Sequence, residues 1–296
     1  MMTPSEAIRS FDESMYLERN PDVAAAVSSG GFLSAWHHYL SHGSRENRPG
    51  VPHGFHPAVQ DLLRDVAIEA LPPPHLRKRV HGEDALESFE HVGGSVAYNI
   101  SAAIRSEPRS DSPRRILDFG CGCGRVLKYF SKMTDQAEFH GSDIDPEAIA
   151  WCQEHLSHVA GFVVNPPYPP APFEDNFFDF IYAISVFTHL PEDMEHAWLA
   201  ELCRITNPGG LVLLTSHGEH LLTPHISGQM LSEFQASGFY YHVEGGTEGL
   251  PSFYQTSYHT DDYILNHWSR FFTIEKFIKR GIANYQDLIL CRKRVD

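Results

Sequence analysis

Basic residues are scarce in this sequence. Its 296 residues hold 23 Lys and Arg against 38 Asp and Glu, a formal charge of −15 with histidine neutral. A field of that sign repels phosphate backbones, so a nucleic-acid substrate is not expected. Cysteine is scarce too: five residues at irregular spacing provide no disulfide framework for a chain of this length. No apolar run approaches the roughly 20 residues that a membrane-spanning helix requires. The polar, acidic N-terminus lacks the basic-then-apolar pattern of a signal segment. A soluble, cytoplasmic protein that contacts no membrane is the expectation. Histidine is plentiful at 19, but His217, His220 and His225 show neither helix-face i, i+4 pairing nor a carboxylate at ligand spacing, and no metal is expected.

What is present is a short run at residues 116 to 124, Ile-Leu-Asp-Phe-Gly-Cys-Gly-Cys-Gly. An apolar strand ends at Asp118, and Gly120, Gly122 and Gly124 follow at alternate positions. Val126, Leu127 and Phe130 then have helical spacing. Strand, glycine turn and helix open a nucleotide-type α/β domain, in which glycine lets backbone approach a ligand directly. The spacing G-x-G-x-G is one residue short of the dinucleotide fingerprint. The preceding carboxylate would repel a pyrophosphate but suits a ligand carrying an amino group or a sulfonium. Both features argue against a dinucleotide oxidoreductase.

This stretch resembles the first motif of class I S-adenosylmethionine (SAM)-dependent methyltransferases, and three further segments resemble that family's motifs in the same order. Phe139 to Pro146 is similar to the second strand and its terminal acid. Pro172 to Ile181 is similar to the approach to the fourth strand, and Asn207 to Leu214 to the turn into the fifth. The resemblance spans about residues 113 to 216. It implies a Rossmann-like α/β fold with a mostly parallel seven-stranded sheet and a C-terminal antiparallel hairpin.

Three regions are expected. Residues 1–50 form a helical unit in which Asn20 caps a helix beginning at Pro21. A second helix carries Phe32, Trp36, Tyr39 and Leu40 on one face and ends near Gly43. This unit resembles a helical module of bacterial surface-associated and glycan-related proteins, which implies docking or oligomerisation; an inert helical cap is the alternative. Residues 51–112 are linker and pre-domain helices, broken at Pro72-Pro73-Pro74. Residues 113–296 form the catalytic domain. Strands are expected near 116–119, 138–142, 162–164, 178–184 and 211–215, with helices after Gly124, Pro146 and Pro191. A closing hairpin is expected at 271–277 and 286–291, and an insertion at about 217–262 forms a lid over the acceptor.

The resemblance assigns roles residue by residue. Asp118 would orient the methionine end of SAM, with Gly120, Cys121 and Gly122 in contact through the turn, Cys121 serving as a small residue. Asp143 would accept from the ribose hydroxyls, and Ile144 would lie on the adenine face. Asp145, before Pro146, reads instead as a helix cap. Many members of the family place an acid after the third strand to hold the adenine amino group. This chain has Asn165, whose carbonyl is the substitute acceptor. Ser185 falls at the amino-acid end of the cofactor, and Tyr98 is either a cofactor contact or a core aromatic.

The catalytic candidates are His189, His217 and His259. His189 precedes Pro191 and reads either as a base near the acceptor or as a structural donor to a loop carbonyl. His217 follows the fifth strand, and His259 lies in the expected lid. A methyltransferase acting on a small molecule or glycan, by O-methylation, is the leading expectation. An aminopropyl-type transferase and a non-catalytic SAM-binding scaffold are the alternatives.

Overall fold

In a computed structural model of the chain, the described residues are 13–29, 31–32, 35–43, 46, 48, 71–82, 84, 86–105, 114–133, 137–222, 225–243, 247, 249–282 and 285–295. The boundaries expected at 50 and 112 lie outside them.

Helices α1 (Glu13–Arg19), α2 (Pro21–Ser28) and α3 (Ala35–His38) make the N-terminal unit. A π-turn, Tyr39–Gly43, continues α3. Tyr16, Val23, Ala35 and Tyr39 form its small core, and the Tyr16 hydroxyl lies 3.1 Å from His38 Nδ1. The capping expectation is corrected here: Asn20 gives α2 no side-chain cap. It is buried, and its Nδ2 donates to the Tyr16 carbonyl at 2.8 Å. Closing α1 onto α2 takes the side chain that would have capped. The side chains of Trp36 and Leu40 lie outside the described residues.

The pre-domain helices are α4 (Pro74–His81), started by its prolines, and α5 (Leu86–Arg105). The sheet follows, with β1 (Arg115–Phe119), β2 (Glu138–Asp143), β3 (Gly161–Val164), β4 (Phe178–Ala183) and β5 (Thr206–Gly218) all parallel in the order β3-β2-β1-β4-β5. After them come β6 (Phe239–His242), β7 (Thr256–His259), β8 (Thr273–Ile282) and β9 (Gln286–Arg292). β9 pairs antiparallel to β5 and β8 to β9, completing the expected seven strands with their hairpin.

Successive side chains of a strand point to opposite faces, and both faces of this sheet are covered. Ile116, Phe180, Tyr182, Leu211 and Leu213 pack on one side, where α5 supplies Val96 and Ile100. Leu117, Ile181, Val212 and Leu214 pack on the other, against Met194, Trp198 and Leu202 of α7 (Glu192–Ile205). Helix α6 (Pro146–His155) begins at the cap read from the sequence, because Asp145 accepts from the amides of Glu147 and Ala148.

Two expectations change. The segment after Gly124 is a 3-10 helix, Leu127–Met133, rather than an α-helix, and α5 packs on the same face instead. The strand expected at 211–215 runs from Thr206 to Gly218, so His217 lies within it. It extends because β7 pairs in parallel with His217 and Gly218. The 217–262 segment is thus structured, with α8 (Glu219–Leu222), α9 (Gly228–Ser237) and a β6–β7 hairpin leading to α10 (Asp261–His267).

Candidate active site

The strand order reverses between β1 and β4, and the crevice at their C-terminal ends is where such sheets bind ligands. A cavity of about 100 Å³ opens there. Gly120, Cys121 and Gly122 line its floor and Asp118 its wall. Gly120 has φ 79°, and a Cβ on it would come 2.3 Å from Val186; Gly122 has φ 53°, and its Cβ would come 2.4 Å from Val80. Any larger residue would close the turn that backbone leaves open.

Asp118 is 3% exposed. Burial pushes its carboxyl up from 3.8 to about 8; the nearby Tyr182 hydroxyl and Arg125 pull it down, and Asp143 pushes it further up. The Tyr182 hydroxyl stays outside hydrogen-bond geometry. A carboxyl held this way favours a cationic neighbour, which would restore its charged form.

Asp143 ends β2 and binds the glycine turn. Its Oδ2 accepts from the Gly122 amide at 2.7 Å and its Oδ1 from the Asp145 amide at 2.9 Å. Burial raises its carboxyl from 3.8 to about 6, against these two amides. Each oxygen keeps a lone pair for a further donor. Ile144 and Asn165 line the same cavity. Asn165 donates to the Pro166 carbonyl at 3.0 Å, while its Oδ1 is buried with no hydrogen-bond partner. That orphaned acceptor calls for an N–H donor in the cavity. Ser185 also lines it, at φ 59°, its amide donating to Thr215 Oγ1 at 2.8 Å. A positive φ on a non-glycine residue at a strand end is strain of the kind found at functional sites. Eight of the nine cofactor candidates thus meet in one cavity. Tyr98 is in α5, and its side chain lies outside the described residues.

These residues fit SAM. Asp118 would hold the cationic methionine end, Asp143 the ribose hydroxyls and Asn165 the adenine amino group, with the glycines giving backbone access.

A second, wider cavity adjoins the first and shares Ser185, Arg125 and Tyr254 with it. His189 and His217 line it, their ring centroids 6.3 Å apart. His189 Nδ1 donates to the Gln255 carbonyl at 2.5 Å, so Nε2 carries the lone pair. Burial lowers its pKa to about 4. The ring stacks on Tyr254, centroids 4.1 Å apart. His217 Nε2 lies 3.3 Å from Gln286 Nε2, which also donates to Ser185 Oγ at 2.8 Å. Burial, then the neighbouring histidines, lower its pKa to about 3. Nδ1 lies toward the Ser257 carbonyl without closing a hydrogen bond.

The expectation for His259 is corrected. It lines neither cavity and is 0% exposed. Its Nε2 lies 2.7 Å from Glu195 Oε2, and Trp268 Nε1 donates to Glu195 Oε1 at 2.7 Å. Its position on β7, between α7 and α10, makes it part of the core.

Arg125, Tyr254 and Gln286 were missed from the sequence. Arg125 directly follows the last glycine of the turn, and that adjacency was a signal. Gln286 begins β9, 101 residues from Ser185, and nothing local marks it. One further cluster, Glu192, His196 and His267, brings possible ligand atoms within 4.8 Å of one another. The Tyr263 hydroxyl lies 2.8 Å from Glu192 and 3.2 Å from His196, linking two of the three.

Residues 116–210 match the family described as a methyltransferase domain. Among curated proteins, the tRNA N(3)-cytidine methyltransferase of Danio rerio is 26% identical over 162 residues, 49% of this chain and 43% of that one. A phthiotriol/phenolphthiotriol dimycocerosates methyltransferase of Mycobacterium leprae is 31% identical over 33% of this chain and 36% of its own. The norajmaline N-methyltransferase of Rauvolfia serpentina is 26% identical over 53% and 56%. The chain therefore spans between about a third and just over half of these relatives' lengths. Among solved structures, the Burkholderia thailandensis 1,6-didemethyltoxoflavin-N1-methyltransferase, with its substrate and S-adenosylhomocysteine bound, aligns at TM-score 0.51 and 15% identity. That alignment covers 76% of this chain and 92% of the other. The PH0226 protein of Pyrococcus horikoshii aligns at TM-score 0.51 and 17% identity, covering 71% and 92%.

Proposed function

From a methyltransferase domain at residues 116–210, we propose that this protein is a SAM-dependent methyltransferase acting on an oxygen of a small molecule. When bound, SAM supplies an electrophilic methyl group on its sulfonium sulfur. The chain's own residues position the two reactants, keep water away and take up a proton.

The observation that carries the O-methylation reading is the state of His189. A carbonyl can only accept, so Nδ1 bears the proton and Nε2 keeps a lone pair beside the acceptor-side cavity. Burial keeps the ring neutral, so Nε2 stays unprotonated across the physiological range. A hydroxyl acceptor needs such a base more than a neutral amine does. His217 stands beside it, its Nε2 engaged by Gln286, and serves to orient. Leu250, Phe253 and Tyr254, from the inserted segment, wall the cofactor cavity on the acceptor side. They support a role for that segment in excluding water.

The relatives named above include N-methyltransferases, one of them acting on tRNA. The formal charge of −15 favours a small acceptor over a nucleic acid here. A docking or oligomerising role for the N-terminal unit completes the proposal.

The test is S-adenosylhomocysteine release with matched hydroxyl and amine acceptors, for wild type and His189→Gln. Turnover of hydroxyl acceptors that collapses in the variant, with cofactor binding intact, supports the reading. Cofactor binding without turnover of any acceptor class would favour a non-catalytic binding protein. Turnover confined to amines and indifferent to His189 would remove O-methylation.

A further inference from the structure

The two cavities differ in charge. Asp118, Asp143 and Asp145 line the first, whereas among the described residues no Asp or Glu lines the second. In a chain with 38 acidic residues against 23 basic ones, a wide cavity without one acid is a marked local inversion.

Arg125 sits where the two cavities meet and is 7% exposed. Its Nη1 donates to His81 Nδ1 at 3.0 Å, a neutral partner, and Nε is buried with no partner. Among the described residues no carboxylate forms an ion pair with it. The guanidinium lies 5.9 Å from the Phe89 ring centroid. The aliphatic stem packs on Gly93, where a Cβ would come 2.9 Å from the Arg125 Cγ. The side chain is therefore held in place. A buried, unpaired cation is costly and persists where an anion completes it. Arg79, the neighbouring cation, is already paired with Asp145 and Glu147 at 2.9 and 2.8 Å.

Resting on the methyltransferase reading above, we propose that the acceptor carries a carboxylate and that Arg125 binds it where the acceptor-side cavity meets the cofactor cavity. The guanidinium N–H groups that the Nη1–His81 contact does not use are left to hold it. A planar carboxylate fits one edge of a guanidinium in bidentate fashion. Tyr254, Tyr258 and Tyr285 line the cavity beyond it. They suit an aromatic or similarly flat body attached to the carboxylate.

The experiment measures binding of para-hydroxybenzoate, para-hydroxybenzamide and tyramine to the full chain by calorimetry, with and without S-adenosylhomocysteine. The acid is expected to bind roughly tenfold to a hundredfold tighter than the amide, the range of a hydrogen-bonded charged pair. Arg125→Gln should erase that preference, and Arg125→Lys should keep part of it. Amide or amine binding as tight as acid binding in the wild type, or no preference for the acid at any concentration, overturns the proposal. So does an Arg125→Gln variant that weakens S-adenosylhomocysteine but keeps the acid preference, since the guanidinium would then serve the cofactor's own carboxylate. The wild-type comparison needs no variant to fold. Failure of the wild type to bind S-adenosylhomocysteine would remove the methyltransferase reading, while the comparison without it still tests the carboxylate site.

Discussion

The amide of Gly122 donates to Asp143 Oδ2 at 2.7 Å. The acid at the end of the second strand therefore holds the glycine turn in shape while facing the same cavity. The two most informative motifs of the sequence form one unit that lines one cavity.

Replacing Asp143 by Ala should consequently lower both stability and cofactor affinity. Two buried amides, those of Gly122 and Asp145, lose a charged acceptor. The stability loss should be about 1–3 kcal/mol, read as a lower urea midpoint. A full-stability Asp143→Ala that loses only cofactor binding would show that the turn holds itself.

Asp118 should make cofactor binding depend on pH. With the carboxyl pushed up to about 8 by burial, it is protonated across much of the neutral range, and a cationic ligand must bind as the proton leaves. Affinity for SAM should rise with pH up to about 8, and Asp118→Asn should remove that component. The same shift has a stability consequence. The folded value lies above 3.8, so the group's contribution is fully present below that value and is lost as pH rises through about 8. The stability gap between Asp118→Asn and wild type should widen in favour of Asn over that interval.

His189 and His217 are neutral throughout the physiological range, with pKa values lowered to about 4 and about 3. At saturating SAM the rate of methyl transfer should therefore show no histidine inflection near 6.5 and should fall only in acid. His189→Gln should reduce kcat by roughly a hundredfold or more while leaving cofactor affinity near wild type. A bell centred near the ordinary histidine value would contradict the burial seen here.

His259→Ala should behave as a core variant. It leaves the Glu195 carboxyl buried with one partner fewer. The expected loss is about 3–5 kcal/mol of stability, with turnover per folded molecule retained. A stable but inactive variant would restore His259 to the reaction.

The cofactor side was legible in the sequence because its residues are set by local chain geometry. Glycines 120, 122 and 124 need positive φ, Asp118 and Asp143 occupy strands next to tight turns, and such constraints leave short motifs. The acceptor side was harder to read. His189 reads either as a base or as a structural donor, and in the fold Nδ1 donates to the Gln255 carbonyl while Nε2 is left for the proposed proton transfer. His217 was expected after the strand, but pairing with β7, some 40 residues on, carries the strand past it. His259 was misplaced because a strand in the insertion turns its side chain into the core, a burial fixed by Glu195 and Trp268 on other elements. Beyond its adjacency to the glycine turn, Arg125 carries no local signal of its environment, since its surroundings include His81 and Phe89 from helices that precede the domain.

The most direct test of the central claim is calorimetric titration of SAM into wild type and Asp118→Ala at one pH, with folding of both verified by circular dichroism. The account predicts saturable binding at one site per chain in the wild type and at least a tenfold weaker site in the variant, the scale of one lost charged contact. Equal affinities for the two proteins, or no binding to the wild type, would contradict it.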